Sequence, residues 1–214
     1  MSTINLCGLT LERLPDASIA VPRWILLPER GLTLLPPWLQ AIVHSDKRLE
    51  NRAVTVARRV GDFRGLIALT QSKTWDPEEE ASAVLDLIRR GFIQERAAAS
   101  DLLARYRQMA REWAGKLVGV AELIDVSEPI DCTGHPWHVP GQWGLILGRV
   151  WEVEPVPCIG ARGFWWAGQC PQCDALQARE YLAAPCRRCK IKSYPGTMLN
   201  WRRPELRIVR ECPE

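Results

Sequence analysis

No run in this 214-residue chain approaches the roughly 18 to 20 apolar residues that cross a bilayer, and Met1 to Leu11 lacks the basic flank and long apolar stretch of a secretory signal. The expectation is a cytoplasmic protein with no membrane partner. There is no internal repeat and no low-complexity segment. With 47% apolar and 25% charged residues, wholesale disorder is excluded too. Net charge is only +3, which names no partner. Phenylalanine is scarce, three residues against ten tryptophans. Trp buries a large area with one polar atom to satisfy, so many should be core, and some could be stacking platforms for bases.

Eight cysteines are present, and four of them form two C-x-x-C knuckles, Cys170-Pro-Gln-Cys173 and Cys186-Arg-Arg-Cys189, twelve residues apart. In a reducing compartment this spacing points to a metal rather than to disulfides. Four thiolates leave no open position for water, so the expected ion is a structural zinc. Cys7, Cys132, Cys158 and Cys212 read as small apolar residues. From Gly160 onward there are ten basic and five acidic residues, so the excess of positive charge lies at this end. Arg179, Arg187, Arg188, Lys190 and Lys192 decorate the module, and Trp201, Arg202 and Arg203 follow it. They suit either phosphate contacts or a solvated surface on a protein-contacting module.

Val21 to Leu27, Leu32 to Leu35, Arg48 to Val56, Leu66 to Thr70, Leu117 to Val126 and Gly144 to Val153 read as strands. Pro37 opens a short helix whose Trp38, Leu39, Ile42 and Val43 share a face. Asp76-Pro77 starts another helix, with acids in its first turn, and a second follows through Leu102, Tyr106, Met109 and Trp113 to Gly115. This order predicts an α+β domain over residues 1–166, with a barrel and a helical insertion at 77–115. A zinc module and C-terminal strand follow over 167–214.

Lys47, Glu50 and Arg52 concentrate two cations and an acid at a turn and the start of a strand. Glu50 and Arg52, two apart, share one face of a regular strand. Such a set can hold a phosphate or a base edge, or can shuttle a proton, although a surface ion pair is the commoner meaning of the spacing. His135 and His138, near Cys132, suggest a second metal site but do not define one. His44 lies close in sequence to the Lys-Glu-Arg cluster without an assigned role.

The segment from Leu32 to Trp165 resembles the ASCH family of the PUA-like superfamily. The likeness rests on the strand before Pro37-Trp38, the apolar helix, K-x-x-E-x-R at Lys47, Glu50 and Arg52, Arg64-Gly65 before a strand ending near Lys73, Gly141-Gln142-Trp143, and the closing segment Pro155 to Trp165. Ser45-Asp46 stands where the family often has glycine. The resemblance implies a PUA-like β-barrel with a cleft lined by Lys47, Glu50 and Arg52, with Trp38 and Lys73 nearby. It also implies a ligand that is RNA (rather than DNA), a nucleotide or a modified nucleobase. Two other readings stand beside it: a hydrolase of acylated nucleobases or a ribonuclease using Lys47 and Glu50, and a protein scaffold acting through the zinc module. The deacylating members carry threonine where this chain has Glu50.

Overall fold

In the computed structural model of the chain, the described residues are 3–6, 9–12, 22–74, 76, 78, 82–83, 96–179, 186–190 and 202–212. Apolar alternation and Pro/Gly punctuation produce strands β1 (Thr3–Leu6), β2 (Leu9–Glu12), β3 (Pro22–Leu26), β4 (Arg30–Leu34), β5 (Leu49–Arg52) and β6 (Gly65–Gln71). These are followed by β7 (Lys116–Ser127), β8 (Trp143–Ile159), β9 (Phe164–Gln169), β10 (Leu176–Arg179) and β11 (Glu205–Glu211). The helices are α1 (Trp38–His44), α2 (Val54–Val60) and α3 (Arg96–Trp113). The α+β class is as expected.

Strand pairing runs β8-β10-β9-β4-β6-β7 and returns to β8, a ring of six strands. The pairs β4–β6 and β8–β10 are parallel, and the other ring pairs are antiparallel. The long β8 also carries β5 and β11 as antiparallel neighbours, and β11 continues to β3, β2 and β1. One face of the ring packs Leu32, Leu34, Ile67, Leu69 and Leu147 against Leu39 and Ile42 of α1 and Trp113 of α3. On the opposite face Trp151 and Trp165 fill the space among Ala68, Val120, Val153 and Ala167. Gly31 makes room there, since a Cβ on it would lie 2.3 Å from the Trp165 ring. Trp113, Trp137, Trp151 and Trp165 are core, as expected for part of the tryptophan content.

Two expectations need correction. Residues 48–56 do not form one strand: β5 stops at Arg52, and α2 begins at Val54. The run Val54-Thr55-Val56 suits a strand by propensity, but Ala57 and Val60 are the residues buried, three apart on a helical face against β8 and β9. Gly61, at φ 55°, ends the helix. The division expected between residues 166 and 167 falls inside β9. The cysteine knuckles flank β10, a ring strand, and β11 pairs with β8 and β3, so this region is built into the sheet. Of the helical insertion, α3 buries Leu103, Tyr106, Ala110 and Trp113 along one side. At the expected helix start, Asp76 Oδ1 accepts from the Glu78 N–H at 2.9 Å. Most of residues 77–95 lie outside the described residues.

Candidate functional site

A left-handed turn delivers Lys47. Asp46 has φ 48°, a conformation that glycine takes freely and aspartate tolerates. Burial pushes the Asp46 carboxyl up, and nearby Arg48 draws it back. Ser45 Oγ hydrogen-bonds the Tyr106 hydroxyl of α3, and Arg48 donates to the Ile42 carbonyl at 2.9 Å, which fixes the turn against both helices.

Lys47 Nζ donates to Glu50 Oε2 at 2.5 Å and to the Leu49 carbonyl at 2.6 Å. It also lies 5.6 Å from the centre of the Trp38 ring. Arg52 shares the carboxylate from the other side, with Nη2 3.0 Å from Glu50 Oε1, and it donates to the Thr33 carbonyl of β4 at 3.0 Å. Lys47 is 1% exposed and Glu50 5%, whereas the Arg52 side chain is 20% exposed. Trp38, Lys47, Glu50 and Arg52 therefore come together, but at two depths: an enclosed Lys-Glu pair, and the partly exposed Arg52 and Trp38. Two charges out of water hold each other by a short hydrogen bond, and Arg52 gives the carboxylate a second cationic partner.

Lys73 goes elsewhere. Its aliphatic chain covers Gly115, and it lines a cavity of about 760 Å³ together with Thr33, Arg162 and Arg188. Thr33 connects the two places, since its carbonyl accepts from Arg52 while its hydroxyl accepts from Trp165 Nε1 at 3.0 Å.

The sequence reading missed three polar residues. Gln40 of α1 is fully buried and donates to Gln71 Oε1 at 2.9 Å, while Gln71 donates to the Leu34 carbonyl at 3.2 Å. Asn51 takes the Val139 N–H at 2.8 Å and donates to the Trp137 carbonyl at 2.7 Å, tying the loop before β8 to β5. The signal for Gln40 was a polar residue inside the apolar run Trp38 to Val43. Gln40 Oε1 and Arg52 Nε are buried with no hydrogen-bond partner among the described residues.

The knuckle cysteines form the second cluster. The four Sγ atoms of Cys170, Cys173, Cys186 and Cys189 lie within 4.8 Å of one another, close enough to hold a metal ion. The pairs Cys170–Cys189 and Cys173–Cys186 are 3.8 and 3.6 Å apart. Four sulfurs at about 2.3 Å from a central ion form a tetrahedron with edges of about 3.8 Å, so the donor set fits. The two knuckles repeat one design: the Asp174 N–H donates to the Cys170 carbonyl and the Lys190 N–H to the Cys186 carbonyl, each at 2.9 Å. Asp174 and Lys190 both adopt positive φ, 52° and 59°.

The thiols differ in chemistry. Burial pushes Cys186 up, but N–H groups of Cys189 and Arg188 and the Gln177 amide outweigh it and bring the thiol down to about 6. Burial alone pushes Cys158 up to about 12 and dominates at Cys212, which rises to about 11. Those two are inert core thiols, as read from the sequence. Cys132 is also buried with its thiol pushed up by burial, and Cys7 lies outside the described residues.

The histidines are occupied locally. His135 Nδ1 accepts from the Trp137 N–H at 3.1 Å, and a ring nitrogen of His138 meets the Gln142 carbonyl at 3.1 Å. His44 stacks on Trp113, with ring centres 5.6 Å apart, and is hydrogen-bonded by Arg210 of β11. Burial lowers its pKa, and the Arg210 charge lowers it further. Among the described residues no helix is long and apolar enough to cross a membrane.

No protein-family model matches the chain, and no curated protein matches it in sequence.

Proposed function

We propose that this chain is a nucleic-acid-binding protein of the ASCH type on a PUA-like barrel, taking RNA or a modified nucleobase against Arg52 and Trp38. The observation that carries the reading is the convergence of Trp38, Lys47, Glu50 and Arg52, with the buried Arg52 Nε finding no partner among the described residues. In this reading the Lys47–Glu50 pair is the support, and Arg52 is the ligand contact. An indole can offer a base a stacking face, and a guanidinium in the same cluster a charge-assisted donor. The closed path of six paired strands supports the barrel part of this reading. The ion proposed for the four cysteines is zinc, in a structural role, because the sulfur spacing suits it and four thiolates close the coordination sphere.

The hydrolase reading draws less support. Lys47 Nζ and Glu50 Oε2 are spent on each other at 2.5 Å and withdrawn from solvent, so neither is presented to a substrate.

The test is fluorescence anisotropy with single-stranded RNA, the matching DNA and free modified nucleosides, comparing wild type with Arg52→Lys and Trp38→Ala. Loss of a stacked base is worth about 1–3 kcal/mol, or roughly 5- to 150-fold in affinity. Circular dichroism checks that each variant is folded. Absence of binding by wild type at low salt, or unchanged affinity in both folded variants, sinks the proposal.

A further inference from the structure

A second basic surface lies apart from the Lys47 cluster. A cavity of about 600 Å³ is lined by Arg30, Arg59, Arg162 and Arg187 with Phe164, Trp165 and Trp166, and among the described residues no acidic one borders it. The four arginines come from β4, α2, the loop before β9 and the second cysteine knuckle, so only the folded chain brings them together. Arg59 and Arg162 are exposed and make no ion pair or hydrogen bond among the described residues. The Arg30 guanidinium lies 3.0 Å from the centre of the Trp166 ring. Stacking occupies the face of a guanidinium and leaves its in-plane N–H groups to meet phosphate oxygens. Arg187 is held in place by the knuckle: its backbone N–H donates to Gln177 Oε1 at 2.8 Å and its Nη1 to the Gly160 carbonyl at 3.2 Å.

We infer that this groove is a backbone track for single-stranded nucleic acid, in which the arginines hold successive phosphates and the Arg30–Trp166 stack receives a base. Charge complementarity calls for an anionic partner, and guanidinium groups interleaved with aromatic rings favour a nucleic acid over other polyanions. The volume accommodates a nucleotide. Ala161 and Arg162 line both this groove and the larger cavity that holds Lys73, so the track continues past Gly160 toward Thr33 and the residue that bonds to it, Arg52. The inference rests on the proposed function for its class of partner. It adds a site that reads the chain of phosphates rather than the base.

The experiment measures the affinity of the full chain for a single-stranded RNA 12-mer between 50 and 200 mM salt, for wild type, Arg59→Ala/Arg162→Ala and Arg52→Lys. Each phosphate contact on a single strand contributes about 0.7 to the slope of log affinity against log salt. Four contacts in the groove predict a fall of about 50-fold over this range, and loss of two predicts a fall of only about 7-fold. The groove variant should also bind more weakly at 50 mM salt, whereas Arg52→Lys should keep the wild-type slope. If wild type binds and the groove variant matches it in slope and affinity, the track is overturned while the Arg52 reading stands. If the slope changes as expected but Arg52→Lys binds like wild type, the track stands and the Arg52 reading falls. If wild type binds no oligonucleotide, or if its groove-dependent binding is to a phosphopeptide alone, the track is overturned.

Discussion

Lys47 Nζ sits 2.5 Å from Glu50 Oε2, and neither residue is more than 5% exposed. Arg52 Nη2 lies 3.0 Å from the other carboxylate oxygen, so Glu50 has a second cationic partner. Glu50→Gln takes the carboxylate from an enclosed ammonium and should lower unfolding stability by about 3–5 kcal/mol. Lys47→Met leaves Glu50 with Arg52 and should cost less, and the double variant Lys47→Met/Glu50→Met should recover part of the Glu50→Gln loss, because the enclosed ammonium is gone and Arg52 is partly exposed. Urea unfolding curves check this, and a double variant as unstable as Glu50→Gln would contradict it.

One zinc ion per chain is expected from the four-thiolate cluster. Elemental analysis of the purified protein should give one metal equivalent for wild type and for Cys158→Ala, and none for Cys186→Ser. A strong chelator should lower the thermal midpoint of wild type, because metal bound only by the folded chain adds its binding free energy to stability.

His44 gives the chain a pH dependence of known sign. Its ring accepts a hydrogen bond from Arg210, and burial first, then the Arg210 charge, hold its pKa below the ordinary 6.5. Between 6.5 and that lower folded value the unfolded chain binds more protons than the folded one. Stability is therefore complete above 6.5, declines as pH falls through this window, and stops changing from this source below the folded pKa. Urea midpoints at pH 7.5, 6.5 and 5.5 should fall in that order, and His44→Asn should flatten the decline.

Gly31 is set by the tryptophan across from it. The methyl of Gly31→Ala would lie 2.3 Å from the Trp165 ring, so the indole must shift and its bond to Thr33 must weaken. A destabilisation of about 1–3 kcal/mol is expected, seen as a fall in Tm of about 2–4 °C per kcal/mol for a chain of this size. An unchanged Tm would mean that the Trp165 side chain has room to spare.

The sequence made some of this legible because the chemistry was local. The cysteine knuckles were readable from a spacing of two, and the shared face of Glu50 and Arg52 from the alternation of a strand. The strands β3, β4, β6, β7 and β8 were readable from apolar runs. What escaped depended on distant partners. Val54 to Val60 carries strand-forming residues and became helix because its buried positions, Ala57 and Val60, are three apart. The enclosure of Lys47 could not be read from its neighbours in sequence, since tertiary packing, with the Trp38 ring 5.6 Å from its ammonium, sets its depth. The groove joins Arg30, Arg59, Arg162 and Arg187, residues from four separate segments, and no local pattern announces it.

The short strand β10 is tied down at both ends by cysteine knuckles, and it bridges β8 and β9, meeting β8 through only two residue pairs, Leu176 with Cys158 and Gln177 with Ile159. A metal ion held by the four cysteines would act as a latch on the seam of the ring. Unlatching it frees β10 and leaves β8 and β9 with bare hydrogen-bonding edges, the kind of surface on which chains add to one another. Metal-stripped protein should therefore be lost to self-association before it is lost to simple unfolding. Oxidation of the thiols would reach the same end by a different route.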